Sequence, residues 1–200
     1  MPRKSNYSAE ETKKAIKKTF MELYRIKSFD KITIGELAGT AHVNRSTFYY
    51  YFEDIYDLVY QIEQDFLFTV QQTFPYIISG ILNRNFNDHP TVLIDFYQKY
   101  QKELLLFLVE KPNPKVIQTI KNYAKEYALG LMGLSLEHLT LRQKLITEYI
   151  ANAQLGLIGW WLQNGQECSV EELGQLISKV NMEGPFPTLL ESIDQQRSYV

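Results

Sequence analysis

A single cysteine, Cys168, stands in the whole chain, so no intrachain disulfide can form. That fits a reducing compartment. A reactive thiol would need a basic or helix-terminal setting, and a plain structural thiol is the simpler reading. No apolar run approaches the roughly 20 residues that span a bilayer, and no membrane partner is expected. The stretch Met1-Pro2-Arg3-Lys4-Ser5-Asn6-Tyr7 is basic but has no apolar h-region. It does not read as a signal peptide, and a cytoplasmic location is expected. Histidine is scarce: His42, His89 and His138 fall on turns or element ends, without metal-ligand spacing such as H-E-x-x-H. G-x-S-x-G, G-x-G-x-x-G and the P-loop pattern are missing. The sequence therefore offers no support for an enzyme, and no metal or cofactor is expected. Internal repeats and low-complexity segments are missing too.

Hydrophobic residues make up 45% of the chain and charged residues 22%, the balance of a folded globular protein. Two hundred residues suffice for one large domain or two small ones. The net charge of −2 hides an asymmetry. Residues 1–31 carry nine Lys/Arg against four acids, which leaves the remainder at −7. A basic end on an acidic body suits a polyanion, although a solvated helix with lysines on its outer face explains the charges equally well.

The hydrophobic pattern is helical nearly throughout. Ser8-Ala9-Glu10-Glu11 reads as a capping box. Behind it Ile16, Phe20, Leu23 and Tyr24 form one apolar stripe of a helix ending near Ile26. Thr33-Ile34-Gly35-Glu36 is a second capping box. It opens a short helix whose inner face is Ile34, Leu37, Ala38 and Ala41. After a turn near His42-Val43, Asn44 can cap a third helix to about Phe52. A long fourth helix starts near Asp54, and Pro75 is expected to kink or restart it. A polar loop covers Asn83 to Pro90. Helix is expected again from Thr91 to about Val109, with an interruption near Lys102, then from Lys115 to about Leu129. A long helix runs from Leu141 to Gln163, stopped by Asn164-Gly165. Ser169-Val170-Glu171-Glu172 caps a last helix to about Val180, and Gly184-Pro185-Phe186-Pro187 breaks the pattern. Strand signals are weak; Lys31-Ile32-Thr33-Ile34 is the nearest.

Thr33 to Phe52 carries the functional signal: a short helix, a tight turn and a second short helix, the dimensions of a helix-turn-helix. Phe48 and Phe52 set the buried side of the second helix. Arg45 with Tyr49, and Ser46 with Tyr50, are each four apart and make a separate polar and aromatic surface. Arginine can read guanine through N7 and O6, and Ser, Thr and Tyr hydroxyls can hold phosphate oxygens. Thr33 lies at a helix N-terminus, which favours phosphate. Tyr49, Tyr50 and Tyr51 span about 200° of helix, so they cannot all be core aromatics.

These residues carry a family resemblance. Phe29 to Leu58, with I-T-I-G-E-L-A, V-N-R-S-T-F-Y-Y-Y-F and then D-L, closely resembles the DNA-binding domain of TetR/AcrR-type transcriptional regulators. Gly159-Trp160-Trp161-Leu162-Gln163-Asn164-Gly165, followed by Ser169 to Leu173, looks like the dimerisation end of one subgroup. The resemblance implies an all-α protein: a three-helix helix-turn-helix DNA-binding domain (1–53), then a helical sensor and dimerisation domain (54–200). It implies a homodimer on a palindromic operator in double-stranded DNA, usually a repressor released by a small-molecule effector. An activator, or a scaffold acting through a protein partner, is the alternative. By motif position Arg45, Ser46 and Thr47 fall on base and phosphate contacts, Tyr49 on a phosphate-binding tyrosine, Tyr50 and Tyr51 on neighbouring contacts, and Thr33 on a backbone contact. Asn44 joins this DNA-facing set. Two residues depart from the pattern: His42 where the turn usually has glycine, and Ile55 where a phosphate-binding lysine is common.

In the second domain the last two long helices are expected to build the dimer interface as a four-helix bundle across a two-fold axis. The candidates are Tyr149, Ala153, Gly156, Leu157, Trp160 and Trp161 on the first, with Leu173 and Ile177 on the second. Packing within one chain is the competing reading. Trp160 and Trp161 point about 100° apart, so one can pack inside and the other across the interface. Phe66, Tyr97, Tyr100, Tyr123 and Tyr127 are candidates for an effector pocket, against the plainer reading that they are core. The fourth helix joins the reading head to the sensor, so an effector that shifts it would move the heads.

Overall fold

The structure, a computed structural model, describes residues 9–83, 90–164 and 167–197. The Ser8 cap, most of the 83–90 loop with His89, and Gly165 lie outside the described residues. Every regular element among the described residues is helical, and the chain divides into two compact units, up to Phe66 and from Leu67. The first unit extends past the boundary expected at residue 53 because the opening turns of the fourth helix pack with it.

The first unit holds α1 (Ala9–Ile26), α2 (Ile34–Thr40), α3 (Arg45–Tyr51) and the start of α4 (Ile55–Asn83). Its core is one point of convergence: Ile16 and Phe20 from α1, Leu37 from α2, Phe48 from α3, then Phe52 and Leu58, all essentially inaccessible to water. Each such side chain contributes about 1.5–3 kcal/mol by leaving water. The Lys31–Ile34 stretch is not a strand; a single 3-10 turn at Phe29–Lys31 passes through extended Ile32 and Thr33 into α2. Asp54 starts α4, its carboxylate accepting from the Asp57 N–H at 2.8 Å. Lys17 ties α1 to α4 through Asp65 at 2.6 Å.

The second unit holds the rest of α4, α5 (Pro90–Leu105), α6 (Pro114–Leu131), α7 (Leu141–Gln163), α8 (Val170–Glu183) and α9 (Pro185–Arg197). Three expectations change here. Pro75 does not restart α4, which runs unbroken from Ile55 to Asn83. Buried Phe74 and Ile78 on either side of the proline hold the helix together, and tertiary packing outweighs the one missing backbone bond. There is no interruption near Lys102. Instead α5 widens into a π turn at Leu106–Glu110, where the Lys111 N–H donates to the Leu106 carbonyl at 2.8 Å. Finally, Pro185 opens a helix rather than ending the ordered pattern. Gly184, at φ +94°, turns the chain, and proline at a first helical position gives up only an N–H that has no helical partner anyway.

Caps explain the other boundaries. The Asn113 side chain accepts from the Lys115 and Val116 N–H groups, with Pro114 at the start of α6. The Ser169/Glu172 box is complete in both directions. So is a box at Thr140 and Gln143, whose T-L-R-Q spelling carries the same signal at the start of α7.

Candidate functional site

The turn between α2 and α3 is a Schellman closure: the Val43 N–H reaches the Ala38 carbonyl at 2.9 Å and the His42 N–H the Gly39 carbonyl at 3.2 Å. This geometry demands a left-handed residue after the cap. His42 takes it, at φ +57°. The departure from glycine thus leaves the turn intact and loads it with strain.

Asn44 occupies the N-cap position of α3 without a side-chain cap bond; its carbonyl accepts from Thr47 and Phe48. Burying Phe48 and Phe52 fixes the rotation of α3. Arg45, Ser46, Tyr49 and Tyr50 are then exposed together with Asn44, while Thr47 and Tyr51 are half-buried. Tyr50, at 80% exposure, is the most open of the three tyrosines, and its ring meets Tyr51 edge-on at 4.9 Å. The Tyr51 carbonyl accepts from the Gln61 side chain at 3.4 Å, which anchors the end of α3 to α4. Thr33 is exposed at the head of α2 and accepts from the Glu36 N–H at 3.2 Å. The Glu36 carboxylate pairs with Lys27.

Gly35 was not singled out by the sequence pattern, yet it lies against Arg45. A Cβ there would overlap the tip of the Arg45 guanidinium, which would have to swing aside. The signal was a glycine inside a seven-residue helix, a choice that costs about 1 kcal/mol against alanine and calls for a packing reason.

A helix presented this way has the chemistry of a major-groove reader: an arginine, a small hydroxyl and two tyrosines on an exposed face held rigid by buried aromatics. No protein-family model and no curated protein matches the sequence. Solved structures do. A TetR transcriptional regulator from Streptococcus agalactiae 2603V superposes with a TM-score of 0.55 at 18% identity, over 86% of this chain and 94% of that one. The dihydroxyacetone kinase operon activator DhaS superposes with a TM-score of 0.52 at 19% identity, over 84% of this chain and 93% of its own. The chain has the TetR-type fold.

In this TetR-type fold the second unit carries two further features. The first is a cavity of about 160 Å³ among α4, α5, α6, α7 and α8. Of the aromatics proposed from sequence, Tyr97 alone lines it, with its ring 5.0 Å from Trp161. Phe66 is sealed in the first unit. The Tyr100 hydroxyl bonds Thr69 at 2.8 Å. Tyr123 and Tyr127 flank a separate cleft with Gln71, Phe74 and Glu126. The cavity walls are instead mostly aliphatic, a class that periodicity assigns to core without distinction.

The second feature is an exposed stripe on α7. Leu141, Leu145, Tyr149, Ala153, Gly156 and Trp160 all face solvent in the single chain. The other side of α7 is buried: Trp161 lies in the unit's own core with Leu173 and Ile177, and Leu157 packs half-buried against them. The Trp161 indole donates to the Cys168 carbonyl at 3.0 Å. Trp161, Leu173 and Ile177 therefore belong to intrachain packing, and the Leu141-to-Trp160 stripe is left exposed on the single chain. Among the described residues no cluster of His, Cys, Asp and Glu could hold a metal ion. No helix is long and apolar enough to cross a membrane, again among the described residues.

Proposed function

We propose that this chain is a DNA-binding transcription regulator that docks α3 in the major groove of a palindromic operator as a homodimer. The observation that carries the reading is the two-sided α3: Phe48 and Phe52 locked inside, Arg45, Ser46, Tyr49 and Tyr50 outside. Arg45 is assigned to base reading, Tyr49, Ser46 and Thr33 to phosphate, with Asn44, Thr47, Tyr50 and Tyr51 around them. The homodimer reading is supported by α7, which buries Ala151, Trp161 and Leu162 in its own unit and leaves Leu141, Leu145, Tyr149 and Trp160 exposed on the other side. Repression relieved by a small effector is the mode we assign. The apolar cavity supports it, and α4 supplies a route. The same helix gives Leu58 and Ile62 to the first unit's core and Val70, Phe74 and Ile78 to the cavity wall. Activation is a second reading, favoured by the likeness to DhaS, an activator.

Competition binding with Arg45→Ala and Tyr49→Phe tests the assignment. Arg45→Ala should lose about 1–3 kcal/mol of discrimination at one base step per half-site. Tyr49→Phe should weaken all sequences alike, since a phosphate contact carries little sequence information. Unchanged preference and affinity for Arg45→Ala would remove Arg45 from the reading role. A reporter assay with and without the regulator separates repression from activation.

A further inference from the structure

The cavity in the second unit has a neighbour. A second apolar space of about 300 Å³ lies between α6 and α7, and the two share a wall of Ile78, Ala124, Ala151 and Gln154. The second is at the lower edge of the roughly 300–1,000 Å³ range of small-ligand sites, and the first adjoins it across that wall. Their walls are almost wholly aliphatic and aromatic. Among the described residues no Asp or Glu lines either space, and each has one charged lining residue, a lysine: Lys121 in the first and Lys125 in the second.

The two lysines are not equivalent. Lys125 pairs with the Glu148 carboxylate. Lys121 donates to the neutral Asn152 Oδ1 at 2.7 Å, at the exposed rim between α6 and α7. Two ammonium groups thus share one carboxylate along this seam, and Lys121 is left with an amide oxygen as partner. Its stem lines the cavity while its charge sits at the mouth, an arrangement that suits long basic side chains at apolar surfaces. An apolar chain entering past this rim would place a negative head beside Lys121. A positive head would meet two lysines against the single Glu148 carboxylate, which Lys125 already holds.

We propose that the effector site takes an aliphatic carboxylate, with its chain in the paired cavities and its carboxylate on Lys121. This rests on the small-effector part of the function proposed above. The apolar walls supply affinity for any chain of suitable length, and Lys121 supplies the preference for the anion through a charge-assisted hydrogen bond. Gln154, which faces both spaces, makes no hydrogen bond among the described residues and is a neutral polar point in otherwise apolar walls.

Calorimetry on the full chain with dodecanoate, dodecanol and dodecylammonium, at monomeric concentrations, tests this. Dodecanoate should bind at least tenfold more tightly than dodecanol, and dodecylammonium should be the weakest. Lys121→Met should erase the preference for dodecanoate while leaving dodecanol binding within about twofold, a control that also shows the variant is folded. Equal binding of all three, or a preference that survives Lys121→Met, overturns the anion assignment. No binding of any of them overturns the site altogether. Operator binding is measured on the same preparations before any ligand is added. Its presence leaves the regulator reading standing whatever the calorimetry shows, and its absence in wild type contradicts that reading without touching the calorimetry.

Discussion

His42 shows how one residue can be tolerated rather than chosen for stability. A left-handed backbone costs a side-chain-bearing residue about 1–2 kcal/mol, part of which glycine gives back in unfolded-chain entropy. His42→Gly should therefore stabilise the first unit by up to about 1 kcal/mol, seen as a higher unfolding midpoint in denaturant. A lower midpoint would mean that the imidazole makes a contact worth more than the strain. Glu103 is a second residue at odds with its setting. Burial pushes its carboxyl above the ordinary value of 4.5, against the pull of its own backbone N–H, Lys102 and Lys99. A raised folded-state value means the folded chain holds the proton longer than the unfolded one. Stability is then lost as pH rises from about 4.5 through the folded value, and the full cost is present at neutral pH. Glu103→Gln should raise the melting temperature at pH 7, with the gain shrinking toward pH 4. A gain that is constant across that range would place the effect in packing instead. Glu148 is shifted the opposite way, first by the Lys125 hydrogen bond, but it is exposed enough for salt and water to blunt any contribution to stability.

The helices were legible where a side chain declares the boundary. Ser169 with Glu172, Thr33 at α2 and Asn113 before Pro114 each bond the backbone where the pattern placed a start. Legibility failed where a residue has two meanings. Proline reads as a breaker, yet Pro75 sits within a packed helix and Pro185 begins one. Periodicity also yields a stripe without saying what covers it. The face of α3 was readable because Phe48 and Phe52 leave one side for Arg45 and Tyr49. The cavity was not, because aliphatic wall residues look like any core: of the tyrosines proposed, Tyr97 lines it, Tyr100 went to a hydrogen bond, and Tyr123 and Tyr127 flank a separate cleft. The adjacent tryptophans of α7 separate the two kinds of burial. Trp160 is 59% exposed and Trp161 is 6% exposed. Trp160→Glu should leave each chain folded but place a charge in the proposed two-fold interface, so sedimentation should show monomers with much weaker operator binding. Trp161→Ala should instead cost about 3–5 kcal/mol of stability, as a large side chain lost from a core does. A folded, dimeric Trp160→Glu protein would move the interface off the α7 stripe.

At the level of the whole chain, the proposed function asks two units to serve a single act of recognition. Residues 1–31 carry the excess of positive charge while the remainder, which contains α3, is acidic in sum, so attraction to a polyanion would come from the segment that precedes α3 in the same unit. Non-specific attraction of that kind falls steeply with salt, whereas the base contacts proposed for Arg45 would persist. A homodimer doubles those contacts and imposes its symmetry on the DNA, with half-sites a helical turn or more apart. The direct measurement is a protection footprint of the purified protein on the DNA flanking its own gene, repeated at several salt concentrations. The account predicts a protected inverted repeat whose preference over random DNA survives added salt and is lost in Arg45→Ala. Uniform, salt-sensitive coating of all DNA, or no protection at any salt concentration, would contradict it.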